Sequence, residues 1–186
     1  MTTESSIKVS FELTKRDIKY FRERLKRTRT NRSEQDEAQL IKSASTLVQR
    51  AIEAESPDFV RIRLKILEKL VEMVRDTEWR LEGRDRARVL DALAYFADPE
   101  DLIPDRIPGI GYIDDAIMIE LVARELKHEI KSYDDFCAFR GQRGKKIDDE
   151  KLEVRRQALQ RRMRRRRRSD IERMRTTSIK SPFRLW

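Results

Sequence analysis

Five carboxylates, Asp98, Asp101, Asp105, Asp114 and Asp115, fall within eighteen residues of one another. Oxygen ligands at such density suit hard divalent cations such as Mg²⁺ and Ca²⁺. The spacing matches neither an EF-hand loop nor another motif with a defined mechanism. The same residues serve equally well as helix caps. Asp98 before Pro99 opens a helix, because the carboxylate accepts an orphan N–H and proline lacks the one that would go unpaired. Asp114 and Asp115 fit the first turn of a helix, where the dipole favours negative charge. Capping is the default reading, and a metal-dependent enzyme built on Asp98–Asp115 is an alternative.

Other sources of chemistry are sparse. His128, the single histidine, lies between Lys127 and Glu129 and reads as a surface partner of a helix end. Cys137, the single cysteine, stands between Phe136 and Ala138 and reads as a structural thiol. It can form neither an intrachain disulfide nor a multi-cysteine metal site. There is no glycine-rich phosphate loop, no G-x-S-x-G elbow and no H-E-x-x-H. No catalytic residue, cofactor or metal is therefore assigned, and the chain is expected not to be an enzyme.

Arginine is the abundant chemical group. Residues 151–186 hold fourteen Lys and Arg against three Asp and Glu, a net charge of +11, whereas residues 1–150 carry −2. Guanidinium groups grip phosphates bidentately and stay charged at any relevant pH. Arg161, Arg162, Arg164, Arg165, Arg166, Arg167 and Arg168 are the candidate polyanion-binding residues, with RNA placed ahead of an anionic membrane surface. Phe183 and Trp186 can stack on bases or insert at a lipid interface.

Residues 92–115 read ALAYFADPEDLIPDRIPGIGYIDD. In Tyr95, Pro99, Asp101, Ile103, Pro104, Asp105, Ile107, Pro108, Gly111, Asp114 and Asp115 this stretch resembles the YkvA-like family, a bacterial domain of unknown function. The resemblance covers about residues 87–130 and implies a helical hairpin with a structured connection. It brings no established activity, cofactor or catalytic residue. Many members of that family are more apolar here and are suspected of membrane association. In this chain Arg106, Glu120, Arg124 and Glu125 interrupt the apolar segments.

The elements that must position these residues are helical. Charged residues make up 41% and hydrophobic ones 38%, with five glycines and five prolines, a composition for amphipathic helices rather than turn-rich sheet. Thr14 with Asp17 has the form of a cap, followed by Ile18, Phe21 and Leu25 on one face of a basic helix, with Phe11 or Leu13 as a staple. Ile41, Ala44, Val48, Ala51 and Ile52 mark a second helix. Ser56 and Pro57 predict the start of a third, running to about Leu81, with Val60, Leu64, Leu67, Val71 and Val74 in one apolar row. Phe59, Ile62, Ile66, Leu70 and Met73 form an adjacent row. Gly83 separates it from a fourth helix, Arg84 to Ala97, which turns Leu90, Leu93, Ala94 and Ala97 inward. A fifth covers about Tyr112 to Ile130, through Ile113, Ile117, Leu121, Val122 and Leu126. A short helix to Phe139 follows, ending at Gly141. Pro104 and Pro108 make the intervening connector extended.

The expected fold is all-α: a single bundle of about five main helices over residues 11–140, with a proline-rich hairpin connector. Residues 1–10 are read as flexible, and residues 141–186 as a linker and flexible basic extension. Like charges at i,i+4 among Arg161–Arg168 oppose a free helix, so deleting residues 151–186 is expected to leave the bundle intact. The longest charge-free stretches, Ser43–Gln49 and Ile107–Ile113, have seven residues, far short of the roughly twenty of a membrane span. The N-terminus lacks the apolar run of a signal peptide. The expected address is the cytoplasm, or a position peripheral to a membrane. The expected function is that of a non-enzymatic adaptor: the bundle docks an unidentified protein partner and the arginines hold a polyanion.

Overall fold

The computed structural model describes residues 14–31, 37–54, 56–97, 111–142 and 148–179. They form seven α-helices and no strand among them: α1 (Lys15–Asn31), α2 (Glu37–Glu53), α3 (Asp58–Arg75), α4 (Gly83–Leu93), α5 (Ile113–Glu125), α6 (Lys127–Arg140) and α7 (Asp149–Ile179). A short 3-10 helix, Ala94–Ala97, continues α4. The fold is all-α, as the composition and periodicity require.

The Thr14 cap forms as expected. The Asp17 N–H donates to the Thr14 hydroxyl oxygen, while the Thr14 N–H donates back to the Asp17 carboxylate at 2.9 Å. These bonds from Thr14 hold the Asp17 carboxyl below its ordinary value. Phe21 and Leu25 then reach the core. The predicted row of α3 is buried in full, and α3 packs against α2 and α5. The adjacent row is buried only in its second half: Ile62 is 61% exposed and Phe59 lies at the surface. Ile52 also faces solvent, because α2 ends within two residues of it.

The helix boundaries depart from expectation at three places. Ser56 does not cap α3; its hydroxyl donates to the Ala51 carbonyl at 2.7 Å and closes α2, leaving Pro57 at the cap position. α3 stops at Arg75 because the Asp76 carboxylate accepts the N–H groups of Glu78 and Trp79, both at 2.9 Å, and so folds a turn there. Arg80 and Gly83 continue that turn with φ of 49° and 54°. The turn places Trp79 wholly inside, against Tyr133 and Phe136. The predicted fifth helix breaks at Leu126, where the chain bends into α6, so the expected short helix is part of a longer one. α5 also turns a different face inward: Ala116, Met118, Ile119 and Val122 are buried, while Ile113, Ile117 and Leu121 are only half-buried.

The largest correction concerns the C-terminal segment. Residues 149–179 form one helix packed along α6, not a flexible extension. Asp148 starts it by accepting the Lys151 N–H at 2.8 Å. Leu152, Leu159 and Met163 enter the same core as Trp79 and Phe136. Deleting residues 151–186 would take these three side chains out of that core, which argues against the expectation of an intact truncated bundle. The remainder of the linker (residues 143–147), the staple residues Phe11 and Leu13, and Phe183 and Trp186 lie outside the described residues.

Candidate anion-binding helix

α7 has two faces with opposite electrostatic fates. On the inner face, Arg164 Nε lies 2.5 Å from Asp85 Oδ2, and Arg167 Nη2 lies 2.7 Å from Asp85 Oδ1. Arg167 Nη1 donates to Glu129 Oε1 at 2.6 Å, and Arg88 Nε reaches the same oxygen at 3.1 Å. Arg162 pairs with Asp135, which also accepts from Lys131 at 2.9 Å. One turn further on, Asp170 reverses the polarity and accepts from Lys127 at 2.5 Å, with His128 Nε2 at 2.8 Å. Gln160 donates to the Trp79 carbonyl at 2.8 Å, tying the helix to the buried turn.

Two acids of this network, Asp85 and Glu129, are buried. Glu129 is wholly inaccessible and the Asp85 side chain is 5% exposed, against 18% for Arg167 and 40% for Arg164. Burial pushes the Asp85 carboxyl up, but the hydrogen bonds and charges of Arg164 and Arg167 outweigh it, and the group ends below its ordinary value. Hydrogen bonds from Lys127 and His128 bring Asp170 down to about 2. Glu129 Oε2 is buried with no hydrogen-bond partner among the described residues, so two guanidiniums crowd one oxygen while the other goes unused.

The outer face is different. Arg161, Arg165 and Arg168, spaced i, i+4 and i+7, share one exposed ridge, with Arg166 exposed on its flank. None of the four makes an ion pair or hydrogen bond among the described residues. The seven arginines named from the sequence thus divide: Arg162, Arg164 and Arg167 are engaged within the molecule, and the other four face solvent. Arg155, nearer the start of α7, lies 5.4 Å over the Phe139 ring.

Of the motif residues, Tyr95 is buried in the 3-10 helix, edge-on to Phe96 and with Arg24 5.7 Å over its ring. Gly111 belongs to the turn before α5, and Asp114 and Asp115 are buried in its first turn. Asp98, Pro99, Asp101, Pro104, Asp105 and Pro108 lie outside the described residues. Among the described residues no three His, Cys, Asp or Glu side chains are grouped to share a metal ion. His128 sits at the N-terminal end of α6, in its first turn, rather than near the C-terminal end of a helix, a consequence of the break at Leu126. Cys137 is half-buried beside Arg140, and burial raises its thiol above the ordinary value.

Sequence reasoning missed Asp85, Arg88, Glu129 and Asp135. A signal for two of them exists. Asp85 falls in helical register with buried Val89 and Ala92, and Glu129 with Ser132, Tyr133 and Phe136. An acid on the apolar stripe of a helix needs a buried cationic partner.

Residues 85–121 match the family described as "Protein of unknown function (DUF1232)". A curated relative, the uncharacterized membrane protein YkvA of Bacillus subtilis (strain 168), is 36% identical over 69 residues. The chain carries a YkvA-like segment. The alignment takes in 34% of this chain and 63% of the relative, so the chain spans less than two thirds of that relative's length. No solved structure matches the chain. The match to that family takes in Asp85, the carboxylate on which Arg164 and Arg167 converge, so the arginine helix is fastened to the matched stretch.

Proposed function

We propose that this protein is a non-enzymatic accessory protein that lies peripherally on anionic membrane surfaces through the outer ridge of α7. The observation that carries the reading is the arrangement of Arg161, Arg165 and Arg168: three guanidiniums with no partner among the described residues, on one side of a helix about 46 Å long that packs on α6. A fixed row of cations suits a plane of phosphates, each contributing about 1 kcal/mol near an anionic leaflet. Two observations favour lipid over RNA. The YkvA relative is described as a membrane protein. Exposed Phe59 and Ile62, with Ile18, Ile117 and Leu121 in a neighbouring groove, add apolar surface of the kind that an interface accepts. No helix among the described residues is long and apolar enough to cross a membrane, so the association proposed is at the surface. The cytoplasm is the compartment proposed, and a protein partner docked on the bundle completes the role.

Flotation of the full chain with phosphatidylcholine vesicles, with and without about a third phosphatidylglycerol, tests the reading. Binding that requires the anionic lipid, weakens with salt and survives nuclease supports it. Capture by single-stranded RNA with no flotation assigns the ridge to nucleic acid instead.

A further inference from the structure

Apolar anchorage of α7 stops partway along. Leu152, Leu159 and Met163 are buried, whereas no described side chain beyond Met163 is a buried hydrophobic, and Ile171 is 45% exposed. From Arg164 to Asp170 the contacts that hold the helix down are ionic: Arg164 on Asp85, Arg167 on Asp85 and Glu129, and Asp170 on Lys127 and His128. Buried ion pairs return little net stability, because desolvation offsets most of the attraction. This one is further weakened by the orphaned Glu129 Oε2.

We propose that the part of α7 beyond Met163 is a latent phosphate-binding element, whose Arg164 and Arg167 exchange Asp85 and Glu129 for the phosphates of an anionic lipid surface. The proposal rests on the lipid reading of the outer ridge and extends it. Arg164, 40% exposed on its side chain, is reachable by a phosphate while the helix is still docked. A lipid phosphate offers the same bidentate acceptor geometry as a carboxylate. Repulsion between Arg164 and Arg168 is eased by either partner, and that among Arg161, Arg165 and Arg168 by phosphate. When this half lifts, Arg88 stays on Glu129, so that carboxylate is not left unpaired. The first half of the helix stays in place, since its hold is apolar. Surface phosphates thus recruit first the outer row and then the inner pair, five guanidiniums in place of three.

Spin-label distances in the full chain test the exchange. In a Cys137→Ser background, one doubly labelled protein carries Thr77→Cys with Ser169→Cys, and a second carries Thr77→Cys with Ala158→Cys; all three labelled positions are exposed. With phosphatidylcholine–phosphatidylglycerol vesicles, the 77–169 distribution is expected to shift and broaden while the 77–158 distribution stays put. Vesicle binding with both distributions unchanged overturns the exchange and leaves the lipid reading standing. Absence of vesicle binding overturns both. An independent reading comes from the variant Arg164→Gln/Arg167→Gln: the exchange predicts a loss of vesicle affinity of about tenfold or more, and unchanged affinity contradicts it.

Discussion

Arg167 and Glu129 form an ion pair in which the acid is wholly buried and the guanidinium keeps 18% of its surface. The second terminal nitrogen of Arg167 reaches Asp85, so a single side chain from α7 joins α4 to α6. An arginine inside a run of arginines has become a structural cross-link, while its neighbours Arg166 and Arg168 remain in water.

Removing that cross-link should unfold the protein more easily than removing a ridge arginine. Taking one partner from a buried pair costs about 3–5 kcal/mol, and Arg88 remaining on Glu129 reduces this to about 2–3 kcal/mol for Arg167→Ala. Arg161→Ala, on the exposed ridge, should change stability by less than about 0.5 kcal/mol. Urea denaturation of the two variants compares them directly. Equal stabilities would contradict the docked helix.

The boundary of apolar anchorage at Met163 makes a second comparison. Met163, wholly buried, should cost about 2–5 kcal/mol when replaced by Ala. Ile171→Ala, only eight residues on, should cost about 0.5 kcal/mol or less. Thermal or urea unfolding decides between this and a helix buried along its full length, in which the two substitutions would cost alike.

Acid should loosen the end of α7 before neutral or mildly basic pH does. Asp170 has its carboxyl lowered from 3.8 to about 2, and Asp85 is also lowered. Depressed acids stabilise the fold above their unfolded value and lose that contribution as pH falls through the folded one. The stability difference between the wild type and Asp170→Asn should therefore be constant above about pH 5 and fade between about pH 4 and pH 2. Urea titrations across that range measure it. A difference that persists unchanged at about pH 2 would show that Asp170 is not paired with Lys127 and His128.

How far the sequence could be read follows from where each residue's partners come from. The row Val60, Leu64, Leu67, Val71 and Val74 was legible because helical periodicity is a local property, and all five are buried. The Thr14–Asp17 cap was legible for the same reason. The break at Leu126 was not, because Leu126 continues the apolar period of α5 and is itself buried. The docking of α7 was harder still. Its own residues repel one another, and the acids that reconcile them, Asp85, Glu129 and Asp135, lie between 27 and 82 residues away in the chain. The division of the arginines into inner and outer sets appears only once those acids are placed.

The vesicle affinity of Arg161→Gln/Arg165→Gln/Arg168→Gln, set against that of the unaltered chain, tests the proposed hold of the outer ridge of α7 on an anionic lipid surface. None of the three residues has a partner to lose within the described residues, so the fold should be unaffected and urea unfolding should coincide. At about 1 kcal/mol each, their removal should weaken binding to phosphatidylglycerol-containing vesicles on the order of 100-fold at low salt, with the gap closing as salt is raised. Undiminished affinity in a correctly folded triple variant would contradict the account.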